Sequence, residues 1–384
     1  MVSSIWWLIM SIFLVFIALF LIMGIAGLIY LYKKFYGAAD FFFPKLKKKY
    51  RILLSVGILA AAVLPAFFSM VVWFIVIMHF IVFLALCDVA VFIVRKADKD
   101  HRFRFPRWGN ILYRSGAAAL AMTLLFFCYA KYNMYHVVRT EYDVTVHKQL
   151  AKPFTVVMIA DLHYGLSLDA DQLQAVVDSI GKEKPDAVIL CGDIVDERTT
   201  LEGLNEAFSI LGGLESRFGV YYVYGNHDRS KYAEFANFSD FQLIDAIESN
   251  RIEILNDHAV TFNDDVVLVG RADKLDSGGN RKSISALLGE TDRAKTIIVA
   301  DHEPSDYDSL EKNGCDLVLS GHTHGGQIFP LAIINNLIGF SELNYGYKKQ
   351  GNLNAVVTSG IAGWGFDIRT QHHSEYVVIR MTGR

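Results

Sequence analysis

The feature that most constrains this chain is the run from Ile52 to Val94, 43 residues with a single carboxylate, Asp88. As one helix it would measure about 65 Å at 1.5 Å per residue, roughly twice the ~30 Å hydrocarbon core of a bilayer. It therefore has to fold back, and Pro65–Ser69 is the expected turn. Ile5 to Tyr32 adds 28 residues without a charged side chain. That is enough for a tilted span and too long for the apolar core of a cleaved leader. Ile111 to Ala130 supplies a fourth span. The expectation is a four-helix transmembrane region over residues 1–132, a connector at 133–152 and an α/β domain over 153–384.

Charge divides the chain at the same place. Through Tyr135 there are 15 Lys and Arg against 4 Asp, a net +11; the remainder has 22 against 36 Asp and Glu, a net −14. Thirteen of the basic residues fall in two loops, Lys33–Arg51 and Arg95–Arg107, and none in the N-terminal tail or near Pro65. Positive loops stay in the cytoplasm, so this pattern places the C-terminal domain on the extracytoplasmic face of a multi-pass cell-membrane protein. The acidic balance of that domain argues against a nucleic-acid partner. His79, Asp88 and Arg114 lie within the spans. A structural reading pairs Asp88 with Arg114 across adjacent spans and leaves His79 facing a helix; transport chemistry is the alternative. Cys87, Cys128, Cys191 and Cys315 show no CxxC spacing and read as small buried hydrophobes.

Beyond His136 short β-branched runs alternate with helical stretches. Strands are expected at 155–160, 187–190, 220–223, 266–269, 296–299, 317–320, 355–358 and 376–381, and helices at 171–181 and 201–214. Polar residues cluster just past the carboxyl ends of these strands, where α/β folds place their chemistry. Asp161 and His163 follow the first strand in IADLHYG, and Asp193 the next in LCGDIVD. Asn226, His227 and Asp228 follow the third in VYGNHDRS, His302 another in IVADHEPS, and His322 and His324 the last in LSGHTHGG. Two Asp, one Asn and four His are too many donors for one four-coordinate zinc. They suit two cations sharing a carboxylate, with Mn, Fe or Zn favoured by the mixture of oxygen and imidazole.

With these five blocks in this order, the sequence resembles the calcineurin-like metallophosphoesterases from about Pro153 to Met381. GHTHGGQ and the membrane layout are most similar to the membrane-anchored bacterial type, including UDP-diacylglucosamine-hydrolase-like and transmembrane members. The resemblance implies a two-sheet sandwich flanked by helices. It implies that Asp161, His163, Asp193 and His324 hold one metal and Asp193, Asn226, His302 and His322 the other, with Asp193 bridging. It further implies that His227 lies over the substrate phosphate, oriented by Asp228. The tail GIAGWGFDIRTQHHSEY keeps a Gly-rich turn and Arg369 but carries Trp364 and His372–His373, the latter fitting a solvated loop. For Arg271 a phosphate contact and a surface ion pair both fit.

The expected function is hydrolysis of a phosphoester or pyrophosphate of the membrane or cell envelope. Two cations neutralise the phosphoryl oxygens and supply hydroxide near neutral pH for in-line attack, and His227 is the natural general acid. The alternative is a transporter or sensor whose metallophosphoesterase-like domain only binds ligand. The complete donor set favours the enzyme.

Overall fold

The computed structural model describes residues 2–67, 70–98, 106–263, 265–289 and 291–384, with side chains from Leu21 onward except at 66, 67 and 70. They form two compact units, Met1–Cys128 and Tyr129–Arg384.

The first unit is helical: α1 (Val2–Phe42), α2 (Lys48–Val63), α3 (Met70–Ala97), α4 (Arg107–Ser115) and the start of α5 (Ala117–Tyr135). The expected fold-back is there, α2 giving way to a short 3-10 turn at Leu64–Phe67 before α3; residues 68 and 69 lie outside the described ones. Four spans, however, are not what the helices offer. Among the described residues two segments, Val71–Ala97 and Ala117–Tyr135, are long and apolar enough to cross a membrane. With 16 residues α2 reaches only about 24 Å. The expected span Ile111–Ala130 is broken at Gly116, whose φ of 76° ends α4 in a left-handed cap. Most of Ile5–Tyr32 lies outside the residues described with side chains.

Asp88 does not meet Arg114. Its carboxylate accepts hydrogen bonds from Tyr30 (2.7 Å) and Tyr113 (2.8 Å) and pairs with Lys34. Tyr30 and Lys34 are four residues apart and so share one face of α1, a neighbour that pairing adjacent spans overlooks. The guanidinium of Arg114 instead covers the Phe41 ring at 5.2 Å. His79 is buried, with Nδ1 2.8 Å from the Ile75 carbonyl and its ring against Phe126 and Phe127. All four cysteines are free; Cys191 and Cys315 are buried as expected, whereas Cys87 is half-buried and Cys128 exposed.

The second unit carries two six-stranded mixed sheets. Its strands are β1 (Val138–Thr145), β2 (Phe154–Ile159), β3 (Ala187–Cys191), β4 (Val220–Val223), β5 (Ile252–Ile254), β6 (His258–Thr261), β7 (Val266–Gly270), β8 (Thr296–Ala300), β9 (Leu317–Ser320), β10 (Gly346–Gln350), β11 (Leu353–Val357) and β12 (Glu375–Thr382). One sheet runs β1-β12-β2-β3-β4-β5, the other β10-β11-β9-β8-β7-β6. Met158, Ile189 and Val223 of the first meet Leu268, Ile298 and Leu319 of the second in a fully buried layer. The outer face of the first sheet is covered by α6 (Ala170–Gly181), α7 (Leu201–Leu211) and α8 (Asp240–Ser249). The second packs α9 (Ile284–Leu288) and α10 (Tyr307–Lys312), and α11 (Leu331–Ile338) follows β9. Capping boxes at Asp169 and Ser239 start α6 and α8 where the apolar period begins.

The presumed connector is part of the sheet. β1 lies in its middle, pairing parallel to β12 from Val138↔Glu375 to Thr145↔Thr382. Its alternation of half-buried and exposed residues is that of an edge strand, and its outward charges pair with Glu183 and Arg380. β2, β3, β4 and β5 are mutually parallel, as are β7, β8, β9 and β11. Their carboxyl ends are therefore flush, and the loops that leave them converge.

Candidate metal centre

Each sequence block emerges from one of those strand ends. The backbone turns sharply there: Asp161, His163, Asp193, His322 and His324 all have φ between 43° and 72°. These are left-handed conformations that Asp and His rarely adopt, and they point the side chains back over the sheet edge. Close approach is enforced by glycine. A Cβ on Gly225 would lie 2.2 Å from Asp193 Oδ1, so only glycine lets the loops after β3 and β4 touch.

Two groups of donors result. Asp161, His163 and His324 have ligand atoms within 4.8 Å of one another, and so do Asp193, His302 and His322. Asp193 faces both, its Oδ2 being 3.1 Å from His302 Nε2 and 3.8 Å from His163 Nε2. Asn226 joins the second group, with Oδ1 2.9 Å from His322 Nδ1. Thus the seven residues read as ligands lie together, in the two sets the resemblance implies.

The arrangement fits cations better than it fits itself. His163 Nε2 and His302 Nε2, the nitrogens facing Asp193, are buried without a completed hydrogen bond among the described residues, a costly state that a bound ion relieves. The opposite nitrogen of His302 is held as in metal-binding imidazoles, Nδ1 lying 2.8 Å from the Cys191 carbonyl, while His163 Nδ1 lies 3.3 Å from Asp196 Oδ2 without completing a hydrogen bond.

Electrostatics agree. Burial lowers His322 to about 4 and His324 well below its usual range, leaving neutral imidazoles ready to bind a cation. Burial pushes Asp161 up to about 6. For Asp193 burial acts in the same direction but is outweighed by His302 and His163, which hold the carboxyl well below normal. His302 is raised in turn despite its burial, chiefly by Asp193. These opposed shifts belong to a site whose carboxylates demand positive charge.

His227 stands beside the donors, its ring 5.4 Å from that of His163 and close to Trp364 and Tyr232. The residue that orients it is Glu197, not Asp228. Glu197 carboxylate oxygens lie 2.9 and 3.0 Å from His227 Nδ1, and this contact raises the imidazole pKa against the effect of burial. Asp228 is fully buried and turned away. It accepts four backbone N–H bonds, from Asp193 (2.9 Å), Ile194 (2.9 Å), Val195 (3.2 Å) and Gly225 (2.6 Å), and so clamps the β3 and β4 loops together. Burial and the Asp193 charge push it up to about 6. Its neighbour's side chain was the obvious partner in sequence, but adjacent residues in an extended turn point apart. The acidic tail of LCGDIVDE, which supplies Asp196 and Glu197, was the signal available for both missed residues.

The C-terminal loop closes the wall. Gln327 Nε2 donates to the carbonyls of Trp364, Phe366 and Ile368, and its Oε1 accepts from the Trp364 N–H. Arg369 is fully buried and donates to the carbonyls of His324 (2.9 Å) and Ala362 (2.5 Å), a positioning role. His372 is half-buried against Tyr345, while His373 faces solvent with its side chain 38% exposed and Nε2 3.2 Å from Glu375. Arg271 is not at the surface: it is buried between Asp301 (2.9 Å) and Asp306 (3.1 Å).

A family model described as Calcineurin-like phosphoesterase matches residues 154–326. An uncharacterized metallophosphoesterase of Campylobacter jejuni is 29% identical over 238 residues, 61% of each chain. One of Helicobacter pylori strain J99 is 30% identical over 236 residues, again 61% of each. A transmembrane protein with metallophosphoesterase domain from Danio rerio is 29% identical over 280 residues, 68% of this chain and 62% of that one. The chain thus spans about three fifths of the length of these relatives. Their names include the transmembrane layout and do not mention the UDP-diacylglucosamine subgroup. The family binds two divalent metal ions, and the two donor groups here are candidates to hold them. Residues 154–326 are therefore a calcineurin-like metallophosphoesterase domain.

Proposed function

We propose that the protein is a membrane-anchored phosphoesterase that hydrolyses a phosphoester or pyrophosphate of the membrane or cell envelope at a dinuclear centre. The observation that carries this reading is Asp193, placed between two donor triads, its Oδ2 facing His302 Nε2 and His163 Nε2, both buried without a completed hydrogen bond. Asp161, His163, Asp193 and His324 would hold one ion and Asp193, Asn226, His302 and His322 the other, with Mn, Fe or Zn the suitable metals. When bound, such a pair supplies charge neutralisation for the phosphoryl oxygens and an activated water at neutral pH. The protein's own part is to fix geometry and move a proton. His227, its Nδ1 engaged by Glu197, has Nε2 available to donate to the leaving oxygen. The Cys191 carbonyl keeps His302 in the required tautomer, and the Asp196 carboxylate faces His163 Nδ1.

The extracytoplasmic placement of the domain rests on the two basic loops, Lys33–Arg51 and Arg95–Arg107, which share the cytoplasmic side when the apolar run between them crosses the membrane twice.

The test is full-length protein purified in detergent, analysed for metal and assayed against aryl, alkyl, lipid and nucleotide-sugar phosphoesters. Hydrolysis that requires about two divalent ions per chain is expected. Stoichiometric metal binding without turnover of any ester would favour a ligand-binding domain instead.

A further inference from the structure

Beside the metal centre lies a face that the metal chemistry leaves unexplained. α11 follows the ligand turn His324–Gly326 closely, and a Cβ on Gly326 would meet Ala332 at 2.5–2.8 Å, so the helix is seated on that turn. Ala332 is the residue of α11 that is buried. Phe329, Leu331, Ile333, Ile334 and Phe340 are exposed, and Leu337 is 80% exposed. From Phe329 to Ser341 there is no charged side chain. An amphipathic helix of a water-bathed domain turns polar residues outward; this one turns Leu and Ile outward, the mark of an interaction surface. It is continuous with the site, because the Phe340 ring lies parallel to that of the ligand His322, 6.1 Å away.

What covers this face is indicated by a second observation. α5 is one of the two membrane-capable helices, and its last residues, Tyr129–Tyr135, belong to the second unit. There the Ala130 carbonyl accepts from the Arg369 N–H (3.1 Å), and Asn133 Nδ2 donates to the Arg369 carbonyl (3.2 Å). The Met134 carbonyl accepts from Ser374 Oγ (2.8 Å). Arg369 in turn holds the His324 carbonyl. A helix able to cross a bilayer therefore ends one buried arginine away from a metal ligand. Tyr129 and Tyr132 on that last stretch are exposed, as residues at a membrane–water interface are.

We propose that α11 with its flanking phenylalanines is an interfacial docking surface for the lipid bilayer, and that the substrate is the phosphorylated headgroup of a membrane lipid. The proposal rests on the phosphoesterase reading above and names its substrate class. The apolar helix enters the headgroup–acyl boundary by its exposed side chains. A lipid phosphate then reaches the donors under Phe340 while its acyl chains stay in the bilayer. In the hydrolysis, water oxygen forms the new bond to phosphorus and the ester bond to the lipid alcohol breaks. The leaving oxygen takes a proton from His227, and the incoming water returns one.

The test uses full-length, metal-loaded protein in nanodiscs. An environment-sensitive label is placed at Leu337→Cys in a Cys87→Ala, Cys128→Ala background, and quenching by nitroxide-bearing lipid chains is compared with quenching by aqueous iodide. The label should be quenched by the lipid and shielded from iodide. In parallel, kcat/KM for phosphatidic acid and for phosphatidylglycerol is divided by kcat/KM for 4-nitrophenyl phosphate, and Ile334→Asp with Leu337→Asp should lower the lipid ratio about tenfold. A label that only iodide reaches, or an unchanged ratio, overturns the proposal. So does lipid-independent protection that grows with protein density, which would assign the face to a second copy of the chain. If the aryl ester is cleaved and neither lipid is, the lipid assignment alone falls; if no ester is cleaved with both metals bound, the phosphoesterase reading itself fails.

Discussion

Asp228 offers the sharpest separation between what the resemblance implies and what the structure contains. If it clamps backbone, Asp228→Asn should unfold the site; if it orients His227, the same change should spare the fold and slow only proton transfer. Four N–H donors converge on two oxygens, Asp193 and Gly225 on Oδ2 and Ile194 and Val195 on Oδ1. Asparagine keeps one oxygen and turns an amide donor toward the other pair, so two charge-assisted bonds are lost and two buried N–H groups are stranded. At about 1.5–3 kcal/mol for each bond to a charged group, the cost of two is roughly 3–6 kcal/mol. For a domain of this size that is a fall of roughly 6–24 °C in the unfolding midpoint. Asp228→Ala strands all four donors and approaches the whole stability of an ordinary domain, about 5–15 kcal/mol, so it should scarcely accumulate. The assay is thermal unfolding of metal-free protein, with hydrogen exchange at the amides of Asp193, Ile194, Val195 and Gly225 as the local readout. Asp228→Asn should deprotect those amides. Were its midpoint within about 2 °C of the parent, with the amides still protected and alkyl-ester hydrolysis down as in His227→Ala, the clamp would be refuted.

Three further outcomes follow from the site and its orientation. His227→Ala should keep both metals and lose about 10²–10⁴-fold on an alkyl phosphoester, whose leaving oxygen needs a proton, but far less on a nitrophenyl ester; equal losses would show that His227 only stabilises charge. Asp193→Ala should reduce bound metal to one or none per chain and abolish hydrolysis, whereas His163→Ala should weaken one site; two metals and near-parent rates in Asp193→Ala would break the bridging assignment. A reporter active only outside the cytoplasm should be active when fused after Arg384, and silence there would reverse the orientation.

The sequence made the strand ends and the donor set legible for a simple physical reason. Val220–Val223 and Leu317–Ser320 are apolar runs stopped by a turn and a ligand-type residue, and buried parallel strands leave that signature. The same signal failed for β1, because an edge strand such as VRTEYDVT carries charge on every second residue and reads as linker. It failed for the membrane unit where one residue, Gly116, breaks what hydropathy joins. Residues that act through others were the least visible. Glu197 and Asp196 carry no spacing signature of their own, and Asp228 was assigned by adjacency to a partner it does not touch. Chain order reports which residues leave one strand end together; it does not report which way each side chain turns.

That turning is where the fold spends stability. Asp161, His163, Asp193, His322 and His324 all hold left-handed backbone. At about 1–2 kcal/mol for each residue with a Cβ, five such turns store roughly 5–10 kcal/mol at one edge of the sandwich. Such strain persists only where the surroundings over-determine it. Here the over-determination is visible: Asp228 fixes the loops after β3 and β4, Arg369 fixes His324, and the His322 N–H donates to the Asp161 carboxylate at 3.0 Å. None of these residues need bind a metal through its backbone, yet each holds in place a side chain that does so in the proposed centre. A residue type that tolerated the turn better would be glycine, which has no ligand to offer. Aspartate and histidine occupy strained positions because the chemistry requires their side chains, and the charge-assisted bonds around them are what make that requirement compatible with folding.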